Sequence, residues 1–218
     1  MERTETVADA WTRRASAASG VDFAMMYAAH DAFNRDLARL IDAVREDRVH
    51  TPAVAGTWTL FTSQLHLHHA TEDTSLWPAL RAAIVHPREV AVLDAMEAEH
   101  AGLDPLIETA DDAVRRRDRA ALADGLNRLA TSLSAHMRHE EDEALPLVAR
   151  RIGQGGWERF GQQIRRTQGI RGAAVYLPWV LDGATEPVRR AVLGQLPPPA
   201  RVVYRSLWAP RYRKGDRL

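Results

Sequence analysis

The chain has no cysteine. That excludes disulfides, thiolate metal sites and cysteine nucleophiles, so any bound metal must rest on nitrogen and oxygen donors. Lysine is almost missing as well: all but one of the 29 basic residues are arginine, a bias that reads as genome composition rather than function. No apolar run approaches eighteen residues, and Met1-Glu2-Arg3-Thr4-Glu5-Thr6 carries no apolar signal core, so the expectation is a soluble, cytoplasmic protein with no transmembrane segment. Glycine-rich nucleotide loops, nucleophile elbows and zinc-knuckle spacings are absent too, and no nucleic-acid partner is expected.

A net charge of zero hides an asymmetry. Residues 1–150 carry 16 basic and 25 acidic side chains, a balance of −9; residues 151–218 carry 13 basic and 4 acidic, a balance of +9. Such halves can attract one another, which the Trp- and Tyr-rich tail favours, or the basic part can meet an acidic partner or membrane surface.

What is present is a repeat. His68-His69-Ala70-Thr71-Glu72 leads to Pro78, and 68 residues later His136-Met137-Arg138-His139-Glu140 leads to Pro146. In both copies a His is followed by a Glu four residues on and a Pro ten residues on. Upstream, Phe61 and Leu65 match Leu129 and Leu133. A His and a Glu four apart stand one above the other on one helix face, and that face is otherwise apolar.

The chain reads as all-α. Asp22 caps a first helix running to about Asp47, with Met26, His30, Phe33, Leu37 and Val44 on one face. Thr51-Pro52 starts a second, whose seam is Trp58, Phe61, Leu65, His68, Glu72 and Leu76. Pro87 opens a third with Met96, His100, Leu103 and Ile107, and Asp118 caps a fourth with Leu126, Leu129, Leu133, His136 and Glu140. Short connections make neighbours antiparallel, which predicts an up-and-down four-helix bundle. Pro78, Pro105 and Pro146 should each kink their helix. After Gly153-Gln154-Gly155-Gly156 shorter helical pieces follow. The expected organisation is an N-terminal segment at 1–21, the bundle at 22–152, and a basic, Trp- and Tyr-containing short-helical extension at 153–218.

Each bundle helix has a His on its seam. At about 1.5 Å per residue, His30 and His68 both lie roughly 25 Å from the turn joining their helices. His100 and His136 match within a turn about theirs, while the second and third helices are offset by roughly 7 Å. Four imidazoles and two carboxylates thus converge on one layer, with no Arg or Lys on the seams. Two buried carboxylates without a cation are costly, and this donor set suits a pair of first-row metal ions, iron foremost, with manganese and zinc left open. In a rival frame His69 precedes Asp73 by four and His139 precedes Glu143 by four. Their proline spacings disagree, so His66, His69 and His139 read as flanking the ligands or supporting them from outside, with entry of one of them into the ligand set left open. Tyr27, one turn before His30, reads as packing, or as a phenol that donates a hydrogen bond to a bound oxygen species or ligates a ferric ion. Glu99 reads as solvated or as supporting a neighbour.

With His30-Asp31, His68-x-x-x-Glu72, Glu99-His100 and His136-x-x-x-Glu140 in that order, and Leu76-Trp77-Pro78-Ala79-Leu80, residues 22–151 resemble a bacterial hemerythrin-like (HHE cation-binding) domain carrying a C-terminal extension. The resemblance implies a bundle holding two iron ions in an Fe-O-Fe type centre. Its ligands would be His30, His68, Glu72, His100, His136 and Glu140, with Glu72 and Glu140 as bridges. It also implies a small diatomic or peroxide ligand. Oxygen-carrying members have a second His on the third helix, where this chain has Met96 and Asp104 on either side of His100. That departure leaves room for a changed coordination sphere, a sensor or redox chemistry, and the function expected is to bind or react with oxygen, nitric oxide or peroxide for sensing, detoxification or storage. An alternative is a di-iron oxidase or peroxidase whose substrate pocket is completed by the C-terminal extension.

Overall fold

In the computed structural model the described residues are Trp11, Arg13, Arg14 and 20–218. The expectation of a loose or weakly helical start at 1–18 lies outside them, apart from Trp11, Arg13 and Arg14, which are helical. Helices dominate, and no strand occurs among the described residues. None of these helices is long and apolar enough to cross a membrane.

The first long helix, α1 (Ala24–Arg45), is capped by the Asp22 carboxylate, which accepts from the Ala24 N–H at 3.0 Å. At α2 (Pro52–Thr71), Thr51 caps the end by accepting from the Val54 N–H, and Pro52 fills the first turn, where its missing N–H costs nothing. This helix runs on through a π-helical segment, Glu72–Leu76, into α3 (Trp77–Arg81). The 30-residue α4 (Pro87–Arg116) is capped by the His86 side chain, a cap the sequence did not suggest. It ends on Arg117 in the left-handed region. Asp118 caps α5 (Arg119–His139), which passes through a second π segment, Glu140–Ala144, into α6 (Leu145–Arg151).

Pro78 and Pro146 do not break their helices. In each case the residue before the proline, Trp77 or Leu145, bonds back five residues to the carbonyl of Glu72 or Glu140. The extra residue in the turn carries the carbonyl four residues back away from the pyrrolidine ring, which would otherwise strike it. Pro105 is held within α4 without such a segment.

The described chain divides into two compact units. One comprises Phe33–Ile152 with Asp216–Leu218; the other comprises the residues up to Ala32 with Gly153–Gly215. The first unit is the bundle. Its core is a ladder of buried Leu37, Leu40, Leu65, Leu93, Met96, Leu126, Leu129 and Leu133. Phe61 meets Phe33 edge-on at 5.8 Å and stacks on Trp58 at 5.7 Å. The Trp58 indole N–H donates to Asp111 of α4 at 3.1 Å, so the ring is buried with its one polar atom satisfied. Small residues bring α4 and α5 close: a Cβ at Gly125 would stand 3.5 Å from Ala110.

In the other unit, α7 (Gly153–Val180) is two helices in sequence, parted at Gly169, whose φ of 58° and ψ of −165° suit glycine alone. Trp157 packs edge-on against Phe23 at 4.8 Å, and its indole donates to the Asp22 carbonyl at 2.9 Å. Behind it come α8 (Glu186–Gly194), α9 (Pro198–Val203), a third π segment (Tyr204–Trp208) and α10 (Ala209–Tyr212). Their core is Trp179, Val180, Val188, Val192 and Tyr204.

The segment Asp216–Leu218 lies on the bundle. The Leu218 N–H donates to the Thr57 hydroxyl at 3.0 Å, and Arg39 donates to the Leu218 carbonyl at 3.1 Å. A Cβ at Gly56 would stand only 2.8 Å from the Asp216 carbonyl oxygen, so glycine there is what admits the segment. Gly56→Ala should therefore free Asp216–Leu218 while giving α2 the helix-propensity gain of about 1 kcal/mol. Hydrogen exchange should show faster exchange at Leu218 with the midpoint of thermal unfolding held or raised; unchanged protection at Leu218 would contradict the close approach.

Candidate metal centre

The two His-x-x-x-Glu motifs end at the same kind of place, the last turn of an α-helix meeting a π segment. His68 closes α2 and Glu72 opens the first π segment; His136 closes α5 and Glu140 opens the second. Both glutamates are entirely buried. Neither carboxylate oxygen of Glu72 receives a hydrogen bond among the described residues. The Nε2 atoms of His68 and His100 stand 3.3 and 3.7 Å from its two oxygens. Burial, then the charges of Glu140 and Asp73, push the Glu72 carboxyl well above the usual range.

Two further carboxylates hold the imidazoles from outside. The Nδ1 of His100 lies 2.8 Å from Asp73, and the Nδ1 of His136 lies 2.8 Å from Glu99. An ionised carboxylate only accepts, so each Nδ1 carries the proton and each Nε2 presents its lone pair inward. Those two Nε2 atoms face each other at 3.1 Å. Glu99 also takes the Nδ1–H of His139 at 2.8 Å. Partial burial by itself would raise the Glu99 carboxyl, but the bonds and charges of His136 and His139 outweigh it and leave it below its ordinary value.

Of the six residues expected from the sequence, the bundle unit holds five: His68, Glu72, His100, His136 and Glu140. His68 and Glu140 bring ligand atoms within 4.8 Å of one another. His30 is buried on α1, three residues before Phe33, and so falls in the other unit, whose boundary cuts that continuous helix after Ala32. Tyr27 lies in an aromatic cluster with Trp11 at 6.3 Å and Phe23 at 6.2 Å, and the Arg14 guanidinium sits over its ring. Arg14 is itself clamped by both oxygens of Asp31 at 2.8 Å.

The sequence places His69 among the flanking or supporting residues. It is buried, stacks on the His100 ring at 4.0 Å, and meets His136 edge-on at 5.4 Å. The three imidazoles offer ligand atoms all within 4.8 Å of one another. A signal was available: the residues four and eight before His69 are Leu65 and Phe61, both core, so His69 lies on the seam as His68 does. His66, by contrast, is exposed. Asp73, set aside as part of the rival frame, turns out to serve His100 rather than His69.

A donor set of buried imidazoles around two fully buried carboxylates, with Glu72 lacking any hydrogen bond from Arg or Lys, fits divalent first-row metal ions. The family model of the hemerythrin HHE cation-binding domain matches residues 21–148. No curated protein and no solved structure matches significantly. That match spans more than half of the chain and contains both His-x-x-x-Glu motifs, and the chain therefore belongs to the hemerythrin HHE cation-binding domain family.

Proposed function

We propose that this protein holds two iron ions on His30, His68, Glu72, His100, His136 and Glu140 and uses them to bind or react with dioxygen, nitric oxide or peroxide, in sensing, detoxification or storage. The observation that carries the reading is the burial of Glu72 and Glu140 opposite imidazole nitrogens. An iron pair would supply redox capacity and open positions for a small ligand. The chain's own part is to fix the donors and keep the layer dry. Asp73 and Glu99 set the tautomers of His100 and His136, so that Nε2 faces inward. Phe33, Phe61, Leu65, Leu103, Leu129 and Leu133, all buried and within two turns of the proposed ligands on the same helices, keep the surroundings apolar, which limits access to small species. His30 stands one turn before Phe33 on α1, and the Phe33 ring lies 5.4 Å from that of His68, which supports including it. Imidazole-rich ligation with two carboxylates favours binding chemistry over strongly oxidising chemistry.

Protein loaded with ferrous iron under nitrogen should contain about two irons per chain, and its visible spectrum should change on adding oxygen, azide or peroxide. Folded protein that takes up no iron would end this reading.

The Glu72 carboxyl gives a second expectation, in metal-free protein. Its folded-state pKa lies above the ordinary 4.5. Below that value both folded and unfolded forms hold the proton, and its contribution to stability is fully present. As pH rises through the window up to the folded pKa, the unfolded form ionises first and stability falls. Urea unfolding at pH 5 and pH 8 should show a loss for the wild type that Glu72→Gln largely abolishes. Iron must displace the same proton, so iron affinity should weaken as pH is lowered. An equal pH slope in the variant would show that Glu72 is not the group responsible.

A further inference from the structure

We infer that His69 is itself a metal ligand, completing a three-imidazole subsite with His100 and His136; this rests on the metal reading above and extends it.

The distances favour ligation over simple packing. Metal–imidazole bonds are about 2.0–2.1 Å long, so two nitrogens side by side on one ion lie about 3 Å apart. The Nε2 atoms of His100 and His136 are 3.1 Å apart. With both Nδ1 protons committed to Asp73 and Glu99, two neutral rings would point lone pairs at each other across that gap, so the contact calls for a proton or a metal ion between them. A cation between them turns this repulsion into attraction. His69 faces the same gap: its ring lies nearly parallel to His100, 16° apart, and its ligand atom falls within 4.8 Å of both others.

The third imidazole comes from α2, not from α4. One turn before His100, α4 offers only Met96, which is fully buried among apolar side chains. Adjacent residues on a helix point about 100° apart, so His68 and His69 leave α2 in two directions. His68 reaches Glu72 and Glu140; His69 reaches His100 and His136. One dipeptide thus serves both halves of the centre, with Glu72 lying between them, 3.3 Å from His68 and 3.7 Å from His100.

The rival explanation is that His69 only stacks on His100. Two variants separate these roles. His69→Phe keeps an aromatic ring for stacking but has no donor, and His69→Ala removes both; exposed His66→Ala is the control. Iron per chain after loading with ferrous iron, and Mössbauer spectra of the loaded proteins, are measured beside helical content and urea unfolding of the metal-free forms. Ligation predicts that the wild type and the control hold two irons in two environments. Both His69 variants should fold, keep one iron, and bind the second at least about 100-fold more weakly, since loss of an outer partner alone costs 10–100-fold. If His69→Phe binds both irons like the wild type, His69 is a stacking residue and the inference is overturned. If the wild type itself binds no iron, the metal reading falls first, which is a different result from the failure of His69 alone.

Discussion

Burying Glu72 and Glu140 in the middle of a helical bundle is the constraint on which the rest of this molecule turns. Taking an ionised carboxylate out of water costs several kcal/mol even after relaxation. The chain spends nothing on lysine or arginine to offset it at Glu72, which faces two imidazoles instead. The options are a proton or a metal ion. The raised pKa of Glu72 is the first of these answers, and the ring of inward-facing Nε2 atoms prepares the second. The apolar seams above and below the layer make either answer necessary, because they exclude the water that would otherwise solvate the charge.

The π segments explain how an ordinary bundle helix delivers such groups. The first two begin at a buried glutamate and end two residues before a proline, so that the wide turn sits between the two. The third one, Tyr204–Trp208 ahead of Pro210, has the same offset with no His-Glu pair beside it. The wide turn is therefore a backbone response to proline, available without any metal chemistry, that the two His-Glu repeats exploit. Pro105, tolerated in α4 without such a segment, shows that the response also depends on the surrounding turn.

Much of this was legible in the sequence because it is local. Thr51-Pro52, Asp118 and Asp22 announce helix starts through capping chemistry that needs no tertiary context. The His-x-x-x-Glu pairs announce themselves because four residues return a helix to the same face. What stayed hidden depends on neighbours. The His86 cap uses a residue type rarely found there, and the partners of Asp73 and Glu99 lie 27 and 37 residues away on other helices. His69 reads from the sequence as a flanking or supporting residue because a seam is narrower than the arc a bundle buries: α2 buries both the Phe61–Leu65–His69 line and the Leu65–Glu72 line.

The outer carboxylates bear on what the centre would accept. Asp73 and Glu99 lie behind His100 and His136, and with Glu72 and Glu140 they make four carboxylates around one layer, four negative charges once a metal has displaced the Glu72 proton. On the di-iron reading, two divalent ions would balance all four. Oxidation would then leave positive charge in a medium that screens it poorly, and a small anion entering the layer would restore the balance. The same arithmetic disfavours a neutral, bulky substrate, which would neither fit among Phe33, Phe61 and Leu133 nor compensate the charge. On that reading a pair of ions, an apolar wall and an outer carboxylate on each of two imidazoles would make a centre whose affinity for small anions rises with its oxidation state.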